Sequence, residues 1–304
     1  MRKLLGIVLV SALLLIAVKP GTTLAFANRL TVNSGYRLDN LRWNIAGDLN
    51  GQNPNVLSEL TWKKIRIFQL TANVNTALDD KVYLLSSLGY GWIFNGPVQD
   101  SDYYGDNRSE EFWRSNNKTI GDNSLNAAMA LGYELTPPTA GLQISTLVGY
   151  SSDSQKLRMA DGNQTIPASG QFNGLNSTYQ TNWAGPFLGL KMTGLISSKL
   201  RISGQYEHHQ ANYSAFGNWN LRSDLAHPKS FAHKAEGVGD IIALGLDYSI
   251  GGDWFFKFNT QFGVWSTSPG LDQVFSPEGI SEITRLNEVN WRSATVSFTV
   301  NRYF

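Results

Sequence analysis

Apolar and polar residues alternate along the last segment of the chain. From residue 294 to residue 300 the even positions are Ala, Val, Phe and Val, and the positions between them are Thr or Ser. Successive side chains of a β-strand point to opposite faces, so a period of two predicts a strand with one apolar and one polar face. A strand that separates lipid from a watery interior has this pattern.

The same alternation recurs upstream and predicts further strands. It is clear in two neighbouring segments, where the charged residues Asp247 and Lys257 fall on the polar face. The second strand is less regular, because Trp62, Ile65 and Phe68 do not share one face, and we expect loops to cover both of its sides. The predicted strands are 30–46, 56–76, 82–96, 123–136, 141–158, 179–195, 200–215, 238–250, 254–268 and 290–304.

Short and long connections alternate between these strands. Residues 77–81, 136–140, 196–199 and 249–253 form the short connections, and the segments between them are long and polar. Short periplasmic turns and long outer loops are typical of outer-membrane barrels. We therefore predict an all-β fold, a transmembrane antiparallel β-barrel of about ten strands with five outer loops. A soluble β-sandwich would give similar alternation, but its strands are seldom so long.

The N-terminus has the pattern of a secretory signal peptide. Residues 2 and 3 are basic, an apolar run spans 4–18, and a small-residue site, Ala-Phe-Ala, stands at 25–27. The apolar run is shorter than the roughly 20 residues that a membrane-spanning helix needs. We predict a signal peptide at 1–27 and a barrel at 28–304, with an uncleaved N-terminal anchor as the alternative.

Composition excludes several classes of protein. The chain has 25 basic and 24 acidic residues, and three of the basic ones lie in the predicted signal peptide. A nucleic-acid partner needs a basic surface and is not expected. No Cys is present, which excludes disulfides and thiolate metal sites. Aromatic residues make up 12% of the chain while the mean hydropathy is −0.22, which fits a barrel and not a helical membrane protein.

The expected location is the outer membrane of a Gram-negative cell. Outer-membrane lipid is then one expected partner, since it covers the apolar faces of the strands. The terminal aromatic residue Phe304 is the expected contact for the outer-membrane insertion machinery.

Candidate chemistry is limited to carboxylates and histidine, because HExxH, GxSxG and Walker-type loops are absent from the sequence. Asp100 and Asp102 stand at the top of the third strand, on one side of it. Two carboxylates this close raise each other's proton affinity and can polarise a water between them. The alternative is a solvated acidic turn or a weak cation site.

Asp224 and His227, in the fourth outer loop, form a second candidate pair. An aspartate beside a histidine fixes the tautomer of the imidazole and makes it a better general base. Ordinary loop polarity is the alternative. Glu207 and His209 compete with them on the inward face of the seventh strand, where hydrogen bonding inside the lumen is the simpler explanation. All the histidines fall in the seventh strand and the loop after it.

The mature chain resembles the omptin family of outer-membrane proteases, which are ten-stranded barrels with an active site in a groove between outer loops. The resemblance rests on residues 57–63, which look like the omptin second strand, and on 95–104, which carry the Asp-x-Asp pair and an aromatic residue. Residues 179–190 align as well.

This resemblance implies a catalytic role for both pairs. Asp100 and Asp102 stand at the omptin aspartate pair, and Asp224 and His227 stand near the omptin aspartate–histidine pair. In that family a water held between the pairs attacks the scissile carbonyl while the histidine accepts its proton. The implied substrate is a peptide or protein.

The sequence departs from the omptin pattern in three places. The second pair is spaced Asp-x-x-His, where the family has Asp-x-His. Arg222 and the neighbourhood of Trp43 stand where omptins have acidic residues that receive a basic substrate side chain. Ser152, Ser154 and Asn182 stand where the family's lipopolysaccharide-binding pattern has charged residues, so the lipid that omptins need is not matched by its usual partners.

The chain is also similar to a sister group of barrels, the family named for a Protochlamydia outer membrane protein, in which a porin-like role is assumed. That group fits the departures better. The favoured function is therefore a non-enzymatic barrel, porin-like or for surface interaction, and the alternative is an omptin-type endopeptidase. No cofactor or metal is expected, and lipopolysaccharide is the one bound lipid under consideration.

Charges inside the barrel and aromatic residues in the loops bear on this choice. The inward positions mix both signs: Glu134, Lys191, Arg201, Glu207, Asp247 and Lys257. We expect them to pair and to fill a barrel this narrow, whereas unpaired charges would leave a narrow polar pore. Aromatic loop residues would make protein or glycan contacts in an adhesin, or would anchor the membrane edge: Tyr103, Tyr104, Phe112, Trp113, Phe216 and Trp219.

Overall fold

Antiparallel strands make up most of the structure. The computed structural model describes residues 29–137, 141–251 and 254–302. Within these ranges no helix is long and apolar enough to cross a membrane. The strands are β1 (Arg29–Ile45), β2 (Ser58–Ala77), β3 (Val82–Gly105), β4 (Ser109–Ile120), β5 (Asn123–Glu134), β6 (Leu142–Ile166), β7 (Gly170–Phe172), β8 (Ser177–Leu195), β9 (Leu200–Asn218), β10 (Phe231–Gly251), β11 (Trp254–Thr267), β12 (Gly270–Phe275) and β13 (Ser281–Arg302).

The sheet closes into a ring, because β13 pairs with β1 in an antiparallel ladder that includes Ser34 opposite Phe298. Ten strands form the ring at the level of this ladder, in the order β1, β2, β3, β5, β6, β8, β9, β10, β11 and β13. The strands β4, β7 and β12 pair with the outer parts of their neighbours. The predicted ten-stranded antiparallel barrel is confirmed.

The outer connections differ from the prediction. Residues 97–105, 109–120 and 231–237 were expected in loops, and they form strands instead. These segments rise above the ring as ladders that carry polar side chains on both faces, so they lack the apolar face that reveals a lipid-facing strand. The outer side of the barrel therefore combines tall β-extensions with irregular segments such as 46–57, 219–230 and 276–280.

The short connections are turns where the structure describes them. Leu78 N donates to Val82 O at 2.9 Å, and Ile196 N donates to Leu200 O at 2.9 Å. The other two predicted short connections run into residues 138–140 and 252–253, which lie outside the described residues. The predicted signal peptide and the terminal Phe304 lie outside them as well.

Outward side chains form an apolar band around the ring. On β13, Val296 and Phe298 are exposed while Thr299 is buried, as the alternation predicted. Aromatic residues lie near both edges of this band: Tyr90, Trp92, Phe94, Tyr150, Tyr133, Tyr248 and Trp254. Apolar bands flanked by aromatic girdles are characteristic of barrels in the outer membrane, because the rings sit at the level of the lipid headgroups.

A bulge in β2 explains the irregular pattern of the second strand. The pairing register shifts between Trp62 and Arg66, and Lys64 between them has φ of 49°. Its backbone N–H donates to Asn40 Oδ1 at 3.0 Å. An extra residue changes the phase of alternation, so that Trp62 before the bulge and Ile65 after it both point inward. The expectation that loops cover both sides of this strand was wrong.

An aromatic cluster fills the outer part of the lumen, and we call it the aromatic plug. Its rings come from strands around the ring and are almost fully buried: Trp43, Trp62, Tyr179, Trp183, Tyr213, Phe231, Trp265 and Trp291. Trp265 stacks on Trp291 at 5.6 Å between ring centroids, and Trp62 stacks on Tyr179 at 5.5 Å. Close-packed protein interiors of this kind leave few voids larger than a water molecule.

The charges of the lumen meet only in part. Lys257 Nζ lies 3.7 Å from Asp247, and Glu207 accepts a contact from His209 at 3.0 Å. Glu134 is held by neutral donors, with Ser145 Oγ at 2.8 Å. The expected pairing of charges across the interior is therefore found only in part. The outer part of the lumen is filled by the aromatic plug instead.

Candidate functional site

Asp100 and Asp102 lie on the outer extension of β3, above the apolar band. They are two residues apart on one strand and therefore face the same way. Asp100 stands opposite Leu60 of β2, and Asp102 stands opposite Ser58. Both carboxylates are half-buried. The ladder between β2 and β3 thus places the predicted acid pair in the barrel wall at the outer part of the lumen, beside the aromatic plug.

The two carboxylates hold their protons more tightly than ordinary aspartates do. Burial raises the pKa of Asp100 well above its usual range, and the neighbouring charge of Asp102 raises it further. Burial also raises the pKa of Asp102, against the hydrogen bond from Ser58. The positive charge of Arg222 lowers both pKa values in part. A raised proton affinity is what the Asp-x-Asp spacing led us to expect.

Arg222 lies between this pair and Asp224. It belongs to the segment between β9 and β10, and its Nε and Nη2 donate to the two carboxylate oxygens of Asp224 at 2.8 and 2.6 Å. This forked contact lowers the pKa of Asp224 to about 2. Asp224 is therefore ionised at neutral pH and is engaged by a guanidinium.

His227 has a different partner from the predicted one. Its Nδ1 lies 2.7 Å from Asn218 Oδ1, at the end of β9. In the part of the chain that the structure describes, no hydrogen bond or ion pair joins His227 to Asp224 or to the acid pair on β3. The imidazole is exposed and lines a shallow pocket with Leu225 of its own segment and Pro277 of the last outer connection. The structure thus brings Asp100, Asp102 and Asp224 around Arg222, and it leaves His227 to one side.

The competing pair on β9, Glu207 and His209, has the structural role that we considered for it, which is hydrogen bonding inside the lumen. His209 Nε2 lies 3.0 Å from Glu207, its Nδ1 lies 3.1 Å from Ser151 Oγ, and its ring packs on Phe187 and Trp265. The imidazole is buried under the aromatic plug and satisfied on both nitrogens. It holds β6 and β9 together across the lumen.

A further polar chain runs through the aromatic plug, and the sequence did not reveal it. His233 was expected in a loop, but it lies on β10 and is fully buried. Its Nδ1 lies 2.8 Å from Tyr179 Oη, which lies 2.6 Å from Tyr213 Oη, and its Nε2 lies 3.2 Å from Asp272. Asp272 is on β12, a strand that the alternation did not predict. Only the pairing of β12 with β10 brings these groups together.

Metal ligation finds no support in the described residues. No three His, Asp or Glu side chains lie together within residues 29–137, 141–251 and 254–302 in a way that would hold an ion. On the outer surface, Ser152 donates to Asn182 at 2.8 Å, where the omptin pattern has charged groups for lipopolysaccharide.

Solved structures with a similar fold are outer-membrane barrels. The outer membrane protease OmpT from Escherichia coli superimposes with a TM-score of 0.71 at 11% identity, over 91% of this chain and 99% of OmpT. The translocator domain of the autotransporter NalP from Neisseria meningitidis gives a TM-score of 0.39 at 10% identity, over 91% of this chain and 90% of that one. A search of curated proteins returns no match. At this identity the likeness to OmpT shows the fold alone.

The family is assigned from the sequence. The sequence model of the Protochlamydia outer membrane protein family matches residues 31–304, which is nearly all of the predicted mature chain. Together with the closed ring and its apolar band, this match assigns the protein to the outer membrane. The chain belongs to the Protochlamydia outer membrane protein family and has an omptin-like β-barrel fold.

Proposed function

We propose that this barrel is a non-enzymatic surface-interaction protein, which acts through the β-extensions on its outer side. The observation that carries the proposal is the position of Arg222. It engages Asp224 in a forked contact, so that Asp224 is not free to orient His227, and its charge offsets only part of the rise in the pKa values of Asp100 and Asp102. A water-activating site needs a free carboxylate and a histidine within hydrogen-bond reach of the same water.

The aromatic plug supports the same proposal against a porin-like role. Conduction needs a continuous aqueous path, and ten strands leave little interior width beyond that of their own side chains. Trp183 and Trp265 are both almost fully buried, with ring centroids 5.7 Å apart, across the middle of the lumen. We therefore expect the barrel to be closed to ions.

The tip of the β3–β4 hairpin offers the contact surface. Tyr104 is 69% exposed and stacks on Phe112 at 3.8 Å between ring centroids. Arg108 and Glu59 form an ion pair at 2.6 Å beside them, which fixes the hairpin on β2. Rigid exposed aromatic rings bury much area at little entropic cost, which is why Tyr is enriched at binding surfaces.

The test uses the refolded mature barrel in lipid nanodiscs, applied to protein and glycan arrays. We expect binding that falls at least tenfold in Tyr104→Ser and Phe112→Ser, because each variant removes half of the stack. Leu49→Ser is the matched control, since Leu49 is an exposed apolar residue on a different outer connection. Binding that is unchanged in both hairpin variants would contradict the proposal. Stepwise currents in planar bilayers would instead favour a pore.

An omptin-type endopeptidase is the second candidate, favoured by the half-buried pair Asp100 and Asp102. On this hypothesis Arg222 blocks the site, and Arg222→Ala frees the pair. Removal of the cation raises the pKa of both aspartates further, so that activity which needs an ionised carboxylate is expected only at a correspondingly higher pH. The expected result is cleavage of a peptide library by Arg222→Ala at ten times the wild-type rate or more.

Two further substitutions separate this outcome from an artefact. Cleavage by the Arg222→Ala protein must be lost when Asp102→Asn or His227→Ala is added. Arg158→Ala is the control, because Arg158 is a cation on the outer part of β6 that pairs with Asp122 and not with the acid pair. If the arginine variant cleaves no peptide although its heat-modifiable mobility shows a folded barrel, the peptidase hypothesis fails.

A further inference from the structure

A cavity of about 410 Å³ lies in the periplasmic half of the lumen. Trp265 and Trp291 of the aromatic plug form its outer end, and its wall consists of inward side chains from strands around the ring. Arg29 at the start of β1 and Asn75 near the end of β2 line it at the periplasmic end. The volume is in the range of pockets that hold small molecules, which is about 300–1,000 Å³.

The carboxylates near this cavity are occupied by groups of the protein. Asp153 accepts a hydrogen bond from Asn126 at 2.6 Å, and Glu207 contacts His209 at 3.0 Å. Glu134, beyond the lining, accepts from Ser145 and from Thr136 Oγ1 at 2.6 Å. Each of these acids thus has at least one donor within the protein.

The two lysines of the cavity are less well matched. Lys191 Nζ makes no hydrogen bond or ion pair with any described residue, and its nearest recorded contact is the Tyr83 ring, 5.9 Å away. Lys257 Nζ is 3.7 Å from Asp247, a long contact for an ion pair. Lys257, Arg29, Asp247 and Glu134 all lie within electrostatic range of Lys191, but neither acid makes an ion pair with it among the described residues. The half-buried ammonium therefore has no direct ion-pair partner, and burying a charge without one is costly.

We propose that this cavity binds a small anionic molecule from the periplasm, whose carboxylate or phosphate group contacts Lys191 and lies between Lys257 and Arg29. Ammonium and guanidinium groups donate charge-assisted hydrogen bonds to such oxygens. The amide and hydroxyl side chains deeper in the wall, among them Asn33 and Gln69, contact the polar remainder of the ligand. The site is independent of the outer surface, so its failure leaves the proposed function untouched.

The experiment is isothermal titration of the refolded mature barrel in detergent micelles with citrate and, separately, with inorganic phosphate. We expect saturable binding of at least one probe that weakens about tenfold or more in Lys191→Gln. Lys199→Gln, in the exposed periplasmic turn between β8 and β9, is the matched control and keeps wild-type affinity. Citrate alone would identify a carboxylate site, and both probes together a general anion site.

A second variant guards against misfolding. Lys257→Gln removes the neighbouring cation and is expected to weaken the same probe, and both variants must keep the heat-modifiable mobility of the wild-type barrel. The proposal is overturned if the wild-type protein binds neither probe at millimolar concentration. It is overturned equally if Lys191→Gln and Lys199→Gln bind with the wild-type affinity.

Discussion

Trp265→Ala is expected to lower the free energy of unfolding by about 3–5 kcal/mol. The indole is 2% exposed and touches three other rings of the lumen, those of His209, Trp183 and Trp291. It also covers Gly239, where a Cβ atom would lie only 2.2 Å from the ring. Because the surrounding rings belong to different strands, the cavity left by alanine cannot close by a shift of one neighbour.

The measurement is urea unfolding of the refolded barrel, followed by heat-modifiable mobility on gels. Tyr104→Ala is the control, because its ring lies on the outer face and has one stacking partner, so its loss costs about 1 kcal/mol or less. Equal losses in the two variants would mean that the aromatic plug contributes no more to stability than a surface contact.

Arg37→Met is expected to lower the free energy of unfolding by a similar amount, about 3–5 kcal/mol. Arg37 and Asp39 are both buried inside the barrel, and Nη2 of the arginine lies 3.1 Å from the carboxylate. The guanidinium also donates to Gln69 at 3.2 Å and to Asn126 at 2.9 Å. Methionine fills the space but leaves the buried Asp39 carboxylate without its cation, which costs more than the lost contacts.

Two controls separate charge from packing in this second case. Lys118→Met breaks the ion pair with Asp161, which has a similar distance of 3.2 Å but lies in water, and it is expected to cost about 1 kcal/mol or less. Adding Asp39→Asn to Arg37→Met removes the unpaired charge and should recover part of the lost stability. If the double variant is no more stable than Arg37→Met, packing and not charge is the cause.

The sequence predicted the strands that face lipid and missed those that do not. Apolar and polar residues alternate in β13 and in the periplasmic half of β10, because one face of each strand meets lipid and the other a polar lumen. The outer strand β4 meets neither, and its sequence SEEFWRSNNKTI shows no period of two. The bulge at Lys64 could not be predicted from the sequence for another reason. A positive φ does not change the hydropathy of a residue, and the bulge shows in the sequence only as an apparent loss of alternation in the second strand.

The part of the candidate site that lies on a strand could be predicted from the sequence, whereas the part that lies in a loop could not. Asp100 and Asp102 share a face because any two residues spaced by two on a strand do so. The direction of His227 depends on how the segment after β9 turns, and there the imidazole meets Asn218 and not Asp224. Arg222 was noted only as a departure from a family pattern, since nothing in the spacing of the chain says which carboxylates a guanidinium will reach.

On the proposal that the barrel is closed to ions, the aromatic plug leaves the lumen open on the periplasmic side alone, so that its cavity exchanges solutes with one compartment. A cavity with one opening carries no net flow of solute, so its occupancy at equilibrium depends only on the ligand concentration on the side of that opening. Trp265 and Trp291 line this cavity and also belong to the aromatic plug. A ligand in the cavity is therefore expected to contact the plug from the periplasmic side and not to cross it.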